Sequence, residues 1–134
     1  MTATRPELLP ALTLAYVGDA VHDLYVREWL VRQGGAQPAG RLHRAATAYV
    51  RAGAQAAALR ALLPELSPVE ADIVRRGRNA RPAHAPRGAD AAEYQAATAF
   101  EALVGYLYLS GQRERLRAVL ARAVAHAGEG QPAR

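Results

Sequence analysis

Two acidic residues stand where acidic residues are costly. Asp19 lies in Ala15-Tyr16-Val17-Gly18-Asp19-Ala20-Val21, and Glu101 lies in Ala99-Phe100-Glu101-Ala102-Leu103-Val104-Gly105-Tyr106, so each is flanked by apolar or small residues on both sides. A carboxylate buried alone is expensive. Each segment also carries a glycine within an otherwise helical pattern, Gly18 and Gly105. Such a glycine costs about 1 kcal/mol relative to Ala, a loss that close approach of a second backbone offsets. Helices crossing near these glycines would set Asp19 against Glu101, and two adjacent carboxylates repel unless a cation lies between them. A hard divalent ion meets that need. Mg²⁺ fits best, because it takes oxygen ligands, accepts few protein groups and keeps waters that can bridge to a phosphate, and Mn²⁺ could substitute. Spacing alone favours a plainer arrangement, with Asp19 paired to an arginine such as Arg27 and Glu101 on a solvent-facing stripe with Thr98 and Tyr108.

The elements that must position these residues read as helices. The chain has 134 residues, 51% apolar but only 6% aromatic, and Ala supplies most of the excess. Ala loses least on helix formation, whereas aromatic and β-branched residues dominate strands. Leu14, Val17, Val21, Leu24 and Val31 recur at helical spacing between Ala11 and about Arg32. Leu42 to Leu63 reads as one Ala-rich helix, bent or interrupted at Gly53, and Pro64 closes it. Ser67-Pro68-Val69-Glu70 predicts a helix start, with a Ser cap, a Pro at the first helical position and a Glu able to reach back. That short helix runs to about Arg76. Gly77 to Gly88 reads as an exposed basic loop. A very apolar helix from Ala91 to about Leu109 follows, with Asp90 and Glu93 as cap residues and Gly111 as its stop, and Glu114 to about His126 forms the last. The expectation is an all-α fold of five to six main helices, one domain over residues 1–127 and a disordered tail over 128–134.

Charge and composition narrow the chemistry. All 17 basic residues are Arg, against 12 acidic ones, for a net charge of +5. Guanidinium matches phosphate oxygens with paired donors, which suggests a polyanionic partner, although a GC-rich genome would also replace Lys by Arg. Position is more telling than total. Arg75, Arg76, Arg78 and Arg81, with Asn79 and Arg87, form the densest cationic stretch. Cys is absent, which excludes disulfides, thiolate zinc sites, iron–sulfur clusters and a cysteine nucleophile. The four His residues, at 22, 43, 84 and 126, lack the pair spacing of a zinc site and read as satisfied or solvated. The apolar stretch Ala102 to Gln112 is shorter than the roughly 20 residues of a membrane span, and no basic-then-apolar leader opens the chain. A soluble cytoplasmic protein is expected.

Leu14-Ala15-Tyr16-Val17-Gly18-Asp19-Ala20-Val21 resembles the signature helix of ribonuclease III catalytic domains, and Phe100-Glu101-Ala102-Leu103-Val104-Gly105-Tyr106-Leu107-Tyr108 resembles their second acidic helix. More narrowly, Leu42-His43-Arg44-Ala45-Ala46 and Arg76-Gly77-Arg78-Asn79-Ala80 are similar to the short bacterial branch, Mini-ribonuclease III, which lacks a double-stranded-RNA-binding domain. The likeness spans about Leu12 to Leu120. Full-length ribonuclease III has a Glu four residues before the Asp and an Asp three before the second Glu; Ala15 and Thr98 hold those places here, as the Mini branch also reduces the site. The resemblance implies a Mg²⁺-dependent endoribonuclease acting on double-stranded RNA, leaving 5′-phosphate and 3′-hydroxyl ends, with Asp19 and Glu101 as catalytic metal ligands. It further implies a homodimer, maturation of the 23S precursor of large-subunit ribosomal RNA, and a large-subunit ribosomal protein as a further partner. Arg75, Arg76, Arg78 and Arg81 would contact phosphates, Asn79 and Gln55 ribose hydroxyls, and His43 either RNA or a neighbouring helix. The rival is a catalytically silent helical RNA-binding module of ribosome assembly; a protein-interaction scaffold would bind no RNA at all.

Overall fold

The computed structural model describes residues 5–35, 37–80 and 88–127. Among them six α-helices follow in order: α1 Ala11–Gly34, α2 Ala39–Val50, α3 Ala52–Leu62, α4 Pro68–Asn79, α5 Ala89–Leu109 and α6 Arg113–His126, with 3-10 turns at Pro6–Leu8 and Leu63–Glu65. No strand occurs among the described residues, so the fold is all-α as expected. The tail over 128–134 lies outside the described residues.

The axis of the molecule is α5, which packs against α1, α3, α4 and α6. From Ala96 to Leu107 every residue is buried except the half-buried Glu101. A helix apolar on all sides belongs inside a bundle, and Phe100, Leu103, Val104 and Leu107 join Leu14, Leu59, Leu62, Ile73 and Val119 in the core. Gly111, at φ 72°, ends the turn after α5 in the left-handed conformation that glycine adopts freely.

Several boundaries, and the buried face of α1, differ from the sequence reading. The break in the second predicted helix falls at Arg51, whose extended backbone (ψ 159°) ends α2 and begins α3, while Gly53 is buried inside α3. Tertiary burial there offsets the helical cost of glycine. α4 runs three residues beyond Arg76 to Asn79. α5 starts at Ala89, with Gly88 at φ 79° as its cap residue and no side-chain cap bond, so Asp90 sits in the first turn, where its charge favours the helix dipole without capping. On α1 the buried residues are Leu14, Ala15, Gly18, His22 and Val26, whereas Leu24 and Val31 are exposed. Small residues let α1 lie close to α5, and that contact turns the larger apolar side chains outward.

The predicted start of α4 is present in full. Ser67 Oγ accepts from the Glu70 amide at 3.2 Å and the Glu70 carboxylate accepts from the Ser67 amide at 3.0 Å. Glu70 also takes two bonds from Arg115, at 2.9 and 3.0 Å. Burial pushes its carboxyl upward, but the Arg115 guanidinium and the Ser67 donors outweigh this and hold it below the usual carboxylate range.

Candidate active site

α1 and α5 touch backbone to backbone. A Cβ placed on Gly18 would collide with the carbonyl of Glu101, and one on Gly105 with the carbonyl of Leu14. Asp19 follows Gly18 directly, and Glu101 lies one helical turn before Gly105. The crossing therefore sets the two acids side by side. The Glu101 carboxyl is pushed up to about 8, first by burial, then by a hydrogen bond to Asp19 and by the Asp19 charge, partly opposed by the Gln55 amide. At neutral pH the metal-free pair thus retains a proton.

The plainer arrangement is not found. Arg27 pairs with Asp23 at 3.0 Å, and Asp19 has no arginine partner among the described residues. Thr98 is buried, and its hydroxyl donates to the Tyr94 carbonyl of its own helix at 3.1 Å. Ala15, in the other place where the larger enzymes carry an acid, packs into the core. Neither position offers an anionic ligand. Among the described residues no three His, Cys, Asp or Glu side chains cluster. The donor set is thus two carboxylates, one held protonated against its ordinary tendency, opening to solvent on the exposed side of Asp19. Once Glu101 gives up its proton, the two carboxylates, with no cationic side chain paired to Asp19 among the described residues, suit a divalent ion that takes its remaining ligands from water and phosphate.

Beneath the pair lies a polar chain that the sequence did not announce. His22, three residues after Asp19 and so on the same side of α1, is 1% exposed. Its Nδ1 lies 3.3 Å from Nε2 of Gln55, and its ring meets Phe100 edge-on at 5.1 Å. Burial lowers the imidazole to about 4, despite the opposing charges of Asp19 and Asp23, so it is neutral at physiological pH. Gln55 is 4% exposed. It was expected to reach ribose hydroxyls, but the structure places it under the carboxylates, out of reach of a duplex surface; its position amid the Ala run of α3, a buried helix, was the available signal. For His22 the signal was the three-residue spacing from Asp19.

The cationic stretch divides. Arg78 and Asn79 are exposed on the last turn of α4, with no bond or ion pair among the described residues. Arg75 is exposed and pairs with Asp72 at 2.6 Å. Arg76 departs from the expectation of a phosphate contact. Its guanidinium donates to the carbonyls of Glu7 at 2.6 Å and Leu9 at 3.1 Å and pairs with Asp72, tying the first turn to α4. Arg75, Arg76 and Asn79 line a cleft with Pro10, Ala11 and Leu12. From Leu12 to Asp19, seven residues at the helical rise cover about 10 Å. His43 is exposed on α2 and lines a separate pocket with Arg27, Leu30 and Leu42. Arg81 and Arg87 lie outside the described residues. Beside Asp19, an apolar strip of Tyr16, Leu24 and Tyr108 faces solvent, Tyr16 at 82% exposure. No helix among the described residues is long and apolar enough to cross a membrane.

The ribonuclease III domain family matches residues 12–112. The chain is 53% identical to a Mini-ribonuclease 3 of Symbiobacterium thermophilum, over 98% of this chain and 100% of that one. It is 46% identical to the Mini-ribonuclease 3 of Brevibacillus brevis, over 90% of this chain and 89% of the other. A crystallised protein of Fusobacterium nucleatum superposes with a TM-score of 0.78 at 25% identity, over 88% of this chain and 93% of that one. With both acids of the resemblance brought together at one helix crossing, these matches show that the chain belongs to the ribonuclease III family, in its Mini-ribonuclease 3 branch, and is an endoribonuclease.

Proposed function

We propose that the chain hydrolyses double-stranded RNA with a divalent ion, Mg²⁺ by preference, held by Asp19 and Glu101. The observation that carries this reading is the carboxyl pair at the α1–α5 crossing, where burial and the neighbouring Asp19 push the Glu101 carboxyl up to about 8. When bound, the ion supplies Lewis-acid polarisation of the phosphoryl group and a more acidic water. Water adds to phosphorus and the bond to the 3′ oxygen breaks; that oxygen takes up the proton, leaving a 5′-phosphate and a 3′-hydroxyl.

The chain's own residues bind and orient the duplex. Arg78 and Asn79 at the end of α4, with Arg75 and Arg81, would contact the phosphate backbone. Arg76 would contribute by fixing the first turn. The A-form minor groove is wide and shallow, so recognition rests on shape and backbone more than on base sequence. Cutting both strands needs two sites, and the apolar strip of Tyr16, Leu24 and Tyr108 next to Asp19 supports a symmetric homodimer that brings them together. The resemblance extends the proposal to the paired ends of the 23S precursor in the cytoplasm, with a large-subunit ribosomal protein bound to the same RNA as further partner.

The test is incubation with a long RNA duplex, with and without Mg²⁺, beside Asp19→Asn. Cleavage that requires both the ion and Asp19 is expected. Cutting without metal, or by the variant, would refute the site. Binding without cutting under any condition would instead support the silent RNA-binding module.

A further inference from the structure

The strongest unexplained feature is the chain of polar groups from three different helices: His22 on α1, Gln55 on α3 and Glu101 on α5. Buried amides and imidazoles are costly unless bonded, and this set is not fully bonded, because Nε2 of His22 meets no acceptor. An apolar trio of like volume would fill the same space without that defect. What it could not do is aim a carboxylate. Gln55 has two amide hydrogens. One points to Nδ1 of His22 at 3.3 Å, and the other is free to turn toward the Glu101 carboxyl, which the amide lowers against the effect of burial. His22 cannot swing away, because its ring edge is seated against Phe100, the residue immediately before Glu101. The amide plane is thereby set from both sides.

We propose that Gln55, oriented by His22, is a positioning residue that fixes the Glu101 carboxylate toward Asp19, so that one Glu101 oxygen is occupied by the amide and the other is left for the divalent ion. The inference rests on the metal reading above and concerns how tightly the pair holds the ion. Outer groups that orient a ligand commonly change metal affinity by about 10–100-fold when removed.

The test uses the full chain and Mn²⁺ as probe, with free ion counted by its paramagnetic resonance signal in the absence of RNA. Gln55→Leu preserves volume and removes the amide. It is expected to weaken Mn²⁺ binding by about tenfold or more and to raise the Mg²⁺ concentration for half-maximal cleavage by a like factor, with most of the rate recovered at saturating Mg²⁺. His22→Phe should shift both quantities in the same direction but less, and the double variant should be no worse than Gln55→Leu alone, since His22 acts through the amide. If Gln55→Leu does not fold, Gln55→Asn, too short to reach both partners, gives the same reading. Folded Gln55 variants that bind Mn²⁺ like the parent would overturn the proposal, because a merely structural role lowers melting temperature and leaves ion affinity alone. Asp19→Asn separates the two levels. Should it bind Mn²⁺ normally, the metal reading itself falls, whereas loss of binding in Asp19→Asn with normal binding in Gln55→Leu sinks only the positioning role.

Discussion

Replacing Glu101 by Gln should stabilise the metal-free protein while abolishing hydrolysis. The unfolded chain releases the Glu101 proton near pH 4.5, and the folded chain holds it to about 8. Between those values the folded state binds more protons than the unfolded state, so stability falls as pH rises. For this one group the loss integrates to less than about 1 kcal/mol at pH 5 and to at most about 3 kcal/mol at pH 7. Glu101→Gln keeps the volume and the hydrogen bonding but cannot ionise. Urea denaturation of both proteins in chelator, from pH 5 to pH 8, should therefore show the variant's advantage growing by about 2 kcal/mol over the first two units. Adding Mg²⁺ should stabilise the parent and not the variant, because only the parent gains by binding the ion. A stability difference that stays flat with pH, or a variant less stable than the parent throughout, would refute the account of a buried carboxyl that keeps its proton beside Asp19.

Gly105→Ala should cost at least about 2 kcal/mol of stability by denaturant titration, despite the better helix propensity of Ala, because its methyl group meets the Leu14 carbonyl. Arg78→Ala should weaken binding to duplex RNA and reduce the slope of log affinity against log salt by about 1, whereas Arg76→Ala should lower the melting temperature through loss of its bonds to Glu7 and Leu9, which thermal unfolding will show. Leu24→Glu, on the exposed apolar strip beside the acids, should shift sedimentation from dimer to monomer and reduce cleavage of both strands together.

What could be read from the chain was what local chemistry dictates. The Ser67 and Glu70 capping pair needs only its own four residues, and it is present as expected. The acid–glycine pairing on two helices also pointed to a crossing, because Gly18 and Gly105 have no reason to sit in helices except close contact. Matters decided by three-dimensional packing were less legible. Which face of α1 is buried depends on the small residues that let α5 approach, so the larger Leu24 and Val31 misled the periodicity. Gln55 and His22 were marked only weakly, by the Ala run around Gln55 and the three-residue spacing of His22 from Asp19; they are drawn inward because α3 and α1 flank α5. Arg76 looks like its neighbours Arg75 and Arg78 in sequence, and only the return of the first turn over α4 separates its role from theirs.

The contact between Gly18 and Gly105 has a mechanical consequence. Where side chains separate two helices, the gap can breathe by small rotamer changes; here main chain rests on main chain, and no soft material is left to compress. The two acids are thus held apart by little more than the covalent dimensions of the polypeptide. Neighbouring substitutions can re-aim the carboxyls through side-chain torsions, but the spacing of the two backbones cannot be tuned gradually. It can only jump, by sliding one helix past the other by about a full 5.4 Å pitch.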